Sequence, residues 1–516
     1  MDVAAMSVEH WLAEFGAPDA CAADLLCDRH PRDRVAFTLI EPDLAVRDLT
    51  YGELADASRR FATVLAARGV GRGDAVAVLM GKSGQLIIAL LGIWRLGAVH
   101  VPLFTAFAGP AIEFRVRASG ARVIVVDADQ RAKVDPLDGL TVIEGGAGFD
   151  ELTAASAPLA DAAAVGADGT LVQLFTSGTT GNPKGVPVPV RALASFASYL
   201  HYGLDLTEED VLWNAADPGW AYGLYYAVIG PMATGRRSLL LRAGFSPELT
   251  VRVLQEFGVT NFAAAPTVYR SLAAAPSVKG ISLRRASSAG EPLTPDVPEW
   301  SRRALGVEVR DHYGQTETGM VIVNGWHDAV RAPVKPGSMG RALPGFTVGV
   351  RDGQIAIDTE NSPLMWFTGY TGAPERTAER FTADGRWYLT ADTGRQDEDG
   401  DFFFTARDDD VIIMAGYRIG PFDVESVLIT HPAVVDVAVI GVPDDIRGEV
   451  LHACVVLAEG TEPSAELTRE LQTLVKKRYA AHAYPRAVHY VAGLPKTPSG
   501  KIQRFVLRDR YRTAGS

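Results

Sequence analysis

Cysteine is scarce in this chain: Cys21, Cys27 and Cys454 are all it has in 516 residues. Three thiols so far apart make neither a metal-ligand spacing nor a disulfide framework, and a reducing cytoplasm suits them best. Long apolar runs are missing too. The most apolar stretch, 86–94, stops at Arg95 and falls well short of the roughly 20 residues that cross a bilayer, so no membrane span is expected. Residues 1–16 carry Asp2 and Glu9 where a secretory signal carries positive charge, and they read as a short amphipathic helix. Basic residues are outnumbered, 50 Lys and Arg against 62 Asp and Glu, giving a formal net charge of −12 at pH 7. Phosphate backbones need concentrated Lys and Arg, which argues against nucleic acid as the main partner.

The chain does have the bulk of a globular enzyme, with 47% hydrophobic and 22% charged residues. Its length exceeds one ordinary core, so two or more units are expected. From Val35 onward, strand-like apolar runs alternate with helical patterns, which indicates α/β architecture built of stacked βα units. Strands are expected at 36–40, 75–80 and 121–126. Thr50 followed by Glu53 resembles a capping box that opens a helix to about Arg68, and a second helix is expected at 83–95. The Ala-rich stretch 152–167 reads as a surface connection. Further strands are expected at 259–263 and 281–287.

The densest chemistry lies at 174–189, LFTSGTTGNPKGVPVP. An apolar strand, 171–175, ends in a loop, 176–185, that holds three glycines, four hydroxyls and one lysine. Glycines let backbone N–H groups approach a polyanion, hydroxyls donate to phosphate oxygens, and Lys184 supplies compact positive charge. A Ser/Thr/Gly-rich surface loop is the plainer alternative. A Walker A loop is excluded, because it needs Gly before and Ser or Thr after its lysine, where this chain has Pro183 and Gly185.

TSGTTGNPKG resembles the signature loop of the adenylate-forming superfamily, which contains acyl-CoA synthetases, peptide-synthetase adenylation domains and beetle luciferases. Further motifs of that family follow in order: SAGEP at 288–292, YGQTETG at 313–319, YLTADTGRQDEDG at 388–400, RDDDVIIMAGYRIGPFDVE at 407–425 and PKTPSGKIQR at 495–504. The resemblance covers nearly the whole chain. It implies a large N-terminal AMP-binding domain, residues 1–408, and a small mobile α+β C-terminal domain, residues 409–516. The latter is expected to have strands at 410–414 and 435–442, helices at 421–429 and 465–479, and size enough for its own core.

The resemblance also distributes roles. Thr176, Ser177, Gly178, Thr179, Thr180, Gly181 and Lys184 would hold the ATP phosphates. Gly290, Glu291 and Pro292 would lie against the adenine, with Asp311, His312, Tyr313, Gly314 and Gln315 around it and Tyr313 stacked on it. His312 by itself reads as a satisfied buried histidine and is given no chemistry. Thr316 and Glu317 set a hydroxyl beside a carboxylate after a glycine, suited to the α-phosphate and to Mg²⁺ respectively, although a solvated loop has the same composition. Asp392 would bond the ribose hydroxyls, as a carboxylate accepts from a diol, with Arg407 beside the nucleotide. Asp409 would be the hinge. Lys501 would bridge substrate carboxylate and α-phosphate, and Gly416, Tyr417 and Arg418 would line the channel for CoA.

Trp213 to Tyr226, WNAADPGWAYGLYY, holds five aromatic residues. Core packing around a turn at 217–219 is one reading. The resemblance makes it the segment beside the acyl pocket, with Trp220, Tyr222, Gly223 and Tyr225 as wall candidates. Acetyl-CoA synthetases carry tryptophan where this chain has Gly314, so glycine there is expected to leave space for an acid larger than acetate. Two departures stand out. Ala391 and Ala406 occupy places where the family usually has glycine, and either methyl narrows the backbone's approach to nucleotide unless φ is negative there.

The implied activity is an acid–CoA ligase that uses ATP, Mg²⁺ and coenzyme A on a small-molecule carboxylic acid, as a monomer or a homodimer. Specialisation for a single half-reaction and a non-catalytic nucleotide- or carrier-binding module are the alternatives. Lys501, Glu317 and Arg407 weigh against the last.

Overall fold

The structure is a computed structural model that describes residues 7–176, 183–275, 277–407, 410–414, 417–444, 447–480, 482–496 and 502–512. It is a mixed α/β protein with a large N-terminal and a smaller C-terminal domain. Two sheets organise the large one, the first mainly parallel and the second with a parallel centre. In the six-stranded sheet, Thr141–Glu144, Val123–Val126, Ala75–Leu79, Val99–Pro102 and Thr170–Thr176 run parallel in that order, and Lys184–Pro189 closes the edge antiparallel to its neighbour. In the second sheet, Val35–Ile40, Ser238–Leu241, Leu212–Asn214, Asn261–Ala264, Arg285–Ala289 and Val309–Gln315 form a parallel centre. Beyond it an antiparallel run extends the sheet through Gly319–Val323, Ser338–Ala342, Phe402–Arg407, Trp387–Gln396 and Gln354–Asp358 to Val348–Arg351. That extension brings residues 313–317 and 388–407 to one place.

Local chemistry accounts for the boundaries. Thr50 Oγ1 accepts from the Glu53 N–H at 3.2 Å and Glu53 Oε2 accepts from the Thr50 N–H at 2.8 Å, so the helix Tyr51–Ala66 starts at a complete capping box, worth about 1 kcal/mol. The helix Gly84–Arg95 is capped by Ser83. Residues 152–155 are not a connection: they finish the helix Ala147–Ala155, whose Phe149 and Thr153 are buried one turn apart. The strand expected from 281 starts only at Arg285, because both Arg284 N–H and Arg285 N–H donate to the Thr260 carbonyl and the ladder begins there. The N-terminal helix is Val8–Phe15, seated on buried Trp11 and Phe15.

Past residue 411 the chain builds a sheet of its own from Tyr417–Ile419, Ile412–Met414, Gly448–Leu457, Val434–Asp444 and Ala487–Tyr490. The helices Pro421–Leu428 and Ala465–Arg478 help enclose Val424, Leu428, Val439, Leu451 and Leu471 as a separate core. Among the described residues, no helix is long and apolar enough to cross a membrane.

Candidate active site

Strands Thr170–Thr176 and Lys184–Pro189 pair as a hairpin with Thr176 opposite Lys184, which sets both at the mouth of the glycine-rich loop. The Lys184 ammonium lies over the ring of Tyr370, 4.8 Å from its centroid. Tyr370 is buried, and its hydroxyl donates to Glu317 Oε1 at 2.8 Å. Glu317 is 7% exposed, and its other oxygen has no hydrogen-bond partner among the described residues. A buried carboxylate with one oxygen committed and one available fits a hard cation such as Mg²⁺, which takes oxygen ligands. Gln315, Thr316 and Glu317 form no solvated loop. They make a tight hairpin turn, closed by the Thr318 N–H on the Gln315 carbonyl at 3.2 Å and by the pairing of Gln315 with Gly319.

Behind this turn the side chains interlock. Asp392 is 5% exposed, and its Oδ2 accepts from the Tyr313 hydroxyl at 2.6 Å and from Gln315 Nε2 at 2.5 Å. Gln315 is oriented from both sides, since its Nε2 also donates to the Thr390 carbonyl and its Oε1 accepts from the Tyr388 hydroxyl at 3.0 Å. Arg407 faces Asp392 across the ladder, with Nη1 3.9 Å from Oδ1. One carboxylate is thus presented by groups from three strands.

Gly290, with φ of +101°, turns the chain out of the strand Arg285–Ala289 into Glu291 and Pro292, and Glu291 lies 3.5 Å from the Arg270 guanidinium. Asp311 and His312 stand inside the strand Val309–Gln315, which runs on into the hairpin. Burial pushes the Asp311 carboxyl up to about 8 although its Oδ2 accepts from the Leu293 N–H. Burial also pulls His312 down to about 3. The Asn324 carbonyl can only accept, so His312 Nε2 carries the proton there, and Nδ1 takes one from the Tyr199 hydroxyl at 2.8 Å. His312 is a neutral, satisfied core residue.

Three of the acyl-pocket candidates make close contacts of their own. Tyr225 is buried, stacked 4.4 Å from Phe196, and its hydroxyl donates to the Thr316 carbonyl at 3.0 Å, so it braces the 315–319 turn. A Cβ on Gly223 would collide with the carbonyl oxygen of Asp217, which makes this glycine a close backbone contact. Gly314 stands close to the facing strand: a Cβ there would strike the Gly319 carbonyl oxygen and lie 2.7 Å from Met320 Cα. Trp220 sits against Phe104 and Phe107, both at 5.3 Å between ring centroids, and Tyr222 shares a hydrogen bond with Tyr199 at 3.1 Å.

Ser177, Gly178, Thr179, Thr180, Gly181, Asp409, Gly416 and Lys501 lie outside the described residues, as do the side chains of Tyr417 and Arg418. Tyr388 and Tyr370 escaped the sequence analysis. The first begins the YLTADTG motif; the second stands in no motif.

The model of the AMP-binding enzyme family matches residues 25–360, and that of its C-terminal domain matches residues 423–501. The chain belongs to this family. AMP-binding enzymes similar to it include the acetyl-coenzyme A synthetase of Bacillus subtilis, 36% identical over 488 residues, 89% of this chain and 84% of that one. The human mitochondrial acyl-coenzyme A synthetase ACSM3 is likewise 36% identical, over 89% of this chain and 83% of its own. Among solved structures, an acyl-CoA synthetase of Brucella canis is 41% identical with a TM-score of 0.75, covering 100% of this chain and 99% of that one. A benzoate CoA ligase from Burkholderia xenovorans superposes with a TM-score of 0.84 at 30% identity, over 94% and 99%.

Where AMP-binding enzymes usually carry glycine, the two alanines of this chain behave differently. Ala391 takes φ of +59°, the left-handed conformation that favours glycine, and its N–H donates to Gln354 Oε1 at 3.1 Å. Its backbone keeps the path a glycine would take. Ala406 has no positive φ and sits buried in its strand opposite Thr393, whose hydroxyl donates to the Ala406 carbonyl. Asp392 and Arg407 still pair across the ladder, so no contact here favours specialisation for one half-reaction.

Proposed function

We propose that this chain, an AMP-forming acid–thiol ligase, activates a carboxylic acid larger than acetate and transfers its acyl group to coenzyme A. The observation that carries the reading is the meeting of Lys184, the Thr316–Glu317 turn and the Asp392–Arg407 pair around one buried tyrosine cluster. In the first step a carboxylate oxygen bonds to the α-phosphorus of ATP, the bond from that phosphorus to the bridging oxygen breaks, and pyrophosphate leaves with the electron pair. In the second, the sulfur of CoA bonds to the acyl carbon, AMP leaves, and the thiol proton passes to solvent.

Catalysis here is positioning plus charge neutralisation. Lys184 and the loop before it meet the phosphates, and the Thr316 hydroxyl donates to the α-phosphate. Asp392 accepts from the ribose hydroxyls, and the 290–292 turn with Asp311 and Tyr313 encloses the base. Glu317 would hold Mg²⁺, which would add positive charge beside the phosphates. Lys501 bridges carboxylate and α-phosphate, and Gly416, Tyr417 and Arg418 line the thiol's approach after the C-terminal domain turns about Asp409. The domain boundary at 408/409 is supported by the separate sheet and core beyond residue 411. The size of the acid is supported by the benzoate ligase among the structural relatives. The proposed compartment is the cytoplasm, in keeping with three free thiols.

Lys501→Ala tests the division of labour. Adenylate formation, read as pyrophosphate release, should be abolished, while thioester formation from presynthesised acyl-adenylate is largely spared. Equal loss of both would remove Lys501 from this role. A panel of acetate, octanoate and benzoate, read by thioester mass, tests the acid, and acetate used as well as the others would overturn the size assignment.

A further inference from the structure

Tyr370 is assigned no role by any motif, yet it contacts both charged groups that flank the phosphate loop. It is 5% exposed, it donates to Glu317 Oε1 at 2.8 Å, and the Lys184 ammonium rests on its ring face at 4.8 Å. Its hydroxyl gives its proton to the carboxylate, and the Arg380 charge lies close enough that, against the pull of burial, Tyr370 and Glu317 raise the arginine's pKa. The segment is pinned in place. The Thr371 N–H donates to the Gly185 carbonyl at 2.9 Å, and the Tyr370 N–H donates to Thr377 Oγ1 at 2.9 Å. Without the hydroxyl, Glu317 Oε1 loses its donor, and the carboxylate is free to turn toward the Arg380 charge and away from a cation. Burial, then Arg380 and Arg376, lower the pKa of Lys184 against the opposing pull of Glu317 and Glu379.

We propose that Tyr370 is a positioning residue that aims the Glu317 carboxylate through its hydroxyl, while its ring supports Lys184, so that both face the triphosphate. This rests on the functional reading above, in which ATP and a divalent cation occupy the site. Groups that orient a metal's carboxylate ligand typically change affinity or activity by about 10- to 100-fold when removed.

The experiment measures ATP binding to the full chain by calorimetry, with and without Mg²⁺ and in the absence of acid. Tyr370→Phe keeps the ring. It should bind ATP alone as the wild type does but lose about tenfold of the affinity gained from Mg²⁺. Adding Arg380→Gln removes the competing cation and should restore part of that gain. Tyr370→Leu should weaken ATP binding even without Mg²⁺, through loss of the ring under Lys184. An unchanged Mg²⁺ gain in Tyr370→Phe overturns the inference while leaving the functional reading intact. So does an equal loss with and without Mg²⁺. A wild-type chain that gains nothing from Mg²⁺ overturns both.

Discussion

Tyr313 donates its hydroxyl proton to the Asp392 carboxylate at 2.6 Å, across 79 residues of chain. The contact ties the end of the parallel sheet centre to a strand of its antiparallel extension, and it fixes one carboxylate before any nucleotide is present. The residue before Asp392 makes that placement at a cost, because Ala391 adopts φ of +59°. A left-handed L-residue costs about 1–2 kcal/mol, and glycine returns part of this through its greater freedom in the unfolded chain.

Ala391→Gly should therefore stabilise the protein by about 0.5–1 kcal/mol, and Ala406→Gly should destabilise it by about the same amount, since Ala406 is unstrained inside a strand. Urea titration of both single variants checks the opposite signs. Destabilisation by Ala391→Gly would mean that the methyl is held by packing that outweighs the strain.

Neighbouring Asp311 and His312 give a pH signature. Asp311 is raised from an ordinary 3.8 to about 8 by burial, so its contribution to stability is full below about pH 4 and is lost as pH rises toward 8. His312 is lowered from 6.5 to about 3, again by burial, so its contribution is present above pH 6.5 and is lost as pH falls toward 3. The two oppose each other between pH 4 and 6.5, and Asp311 acts alone above that. Stability should fall from pH 6.5 to 8, and the fall should shrink in Asp311→Asn. An identical slope in that variant would show that Asp311 does not titrate in this window.

Much of this was legible in the sequence for a local reason. Capping at Thr50 and Ser83, the strand before the phosphate loop and the runs 435–442 and 465–479 depend on neighbours a few residues away, and each forms within a residue or two of its expected bounds. The contacts Tyr370–Glu317, Tyr388–Gln315 and Tyr225–Thr316 each span more than 50 residues, and they depend on how distant segments pack, which no local pattern announces. Composition likewise marked 213–226 as aromatic, but only packing against Phe196 and Phe104 decides which rings look inward.

Asp410 follows the proposed hinge directly and accepts from Arg508 at 2.9 Å, with Arg504 3.6 Å away; Arg504 in turn donates to both oxygens of Glu425, at 2.7 and 2.8 Å. Both arginines lie on the helix Arg504–Arg512, which begins three residues after Lys501. Asp410→Asn should lower pyrophosphate release several-fold and spare thioester formation from presynthesised adenylate, because it loosens the helix that follows Lys501 in the chain at a cost of about 1–3 kcal/mol. Parallel loss of both half-reactions would reduce the network to general stability.

Gly314 decides between two accounts of one position. If glycine there leaves room for a long acid, a bulky residue fills the room, the fold is kept, and preference shifts toward acetate. The backbone argues otherwise. A Cβ on Gly314 points at the carbonyl oxygen of Gly319 and at Met320 Cα, across the ladder irregularity between Tyr313 and Gly314, and neither is a side chain that can swing aside. Even Gly314→Ala must push apart the two strands of the hairpin that presents Thr316 and Glu317. Overpacking of this kind costs about 1–3 kcal/mol, and the displaced turn should lower pyrophosphate release with acetate and octanoate alike. Gly314→Trp should lose more stability than Gly314→Ala and gain no preference for acetate. Thermal unfolding of both variants, beside thioester mass across acetate, octanoate and benzoate, separates the accounts. A Gly314→Trp protein as stable as the wild type and newly selective for acetate would show that the hairpin can open to admit the ring.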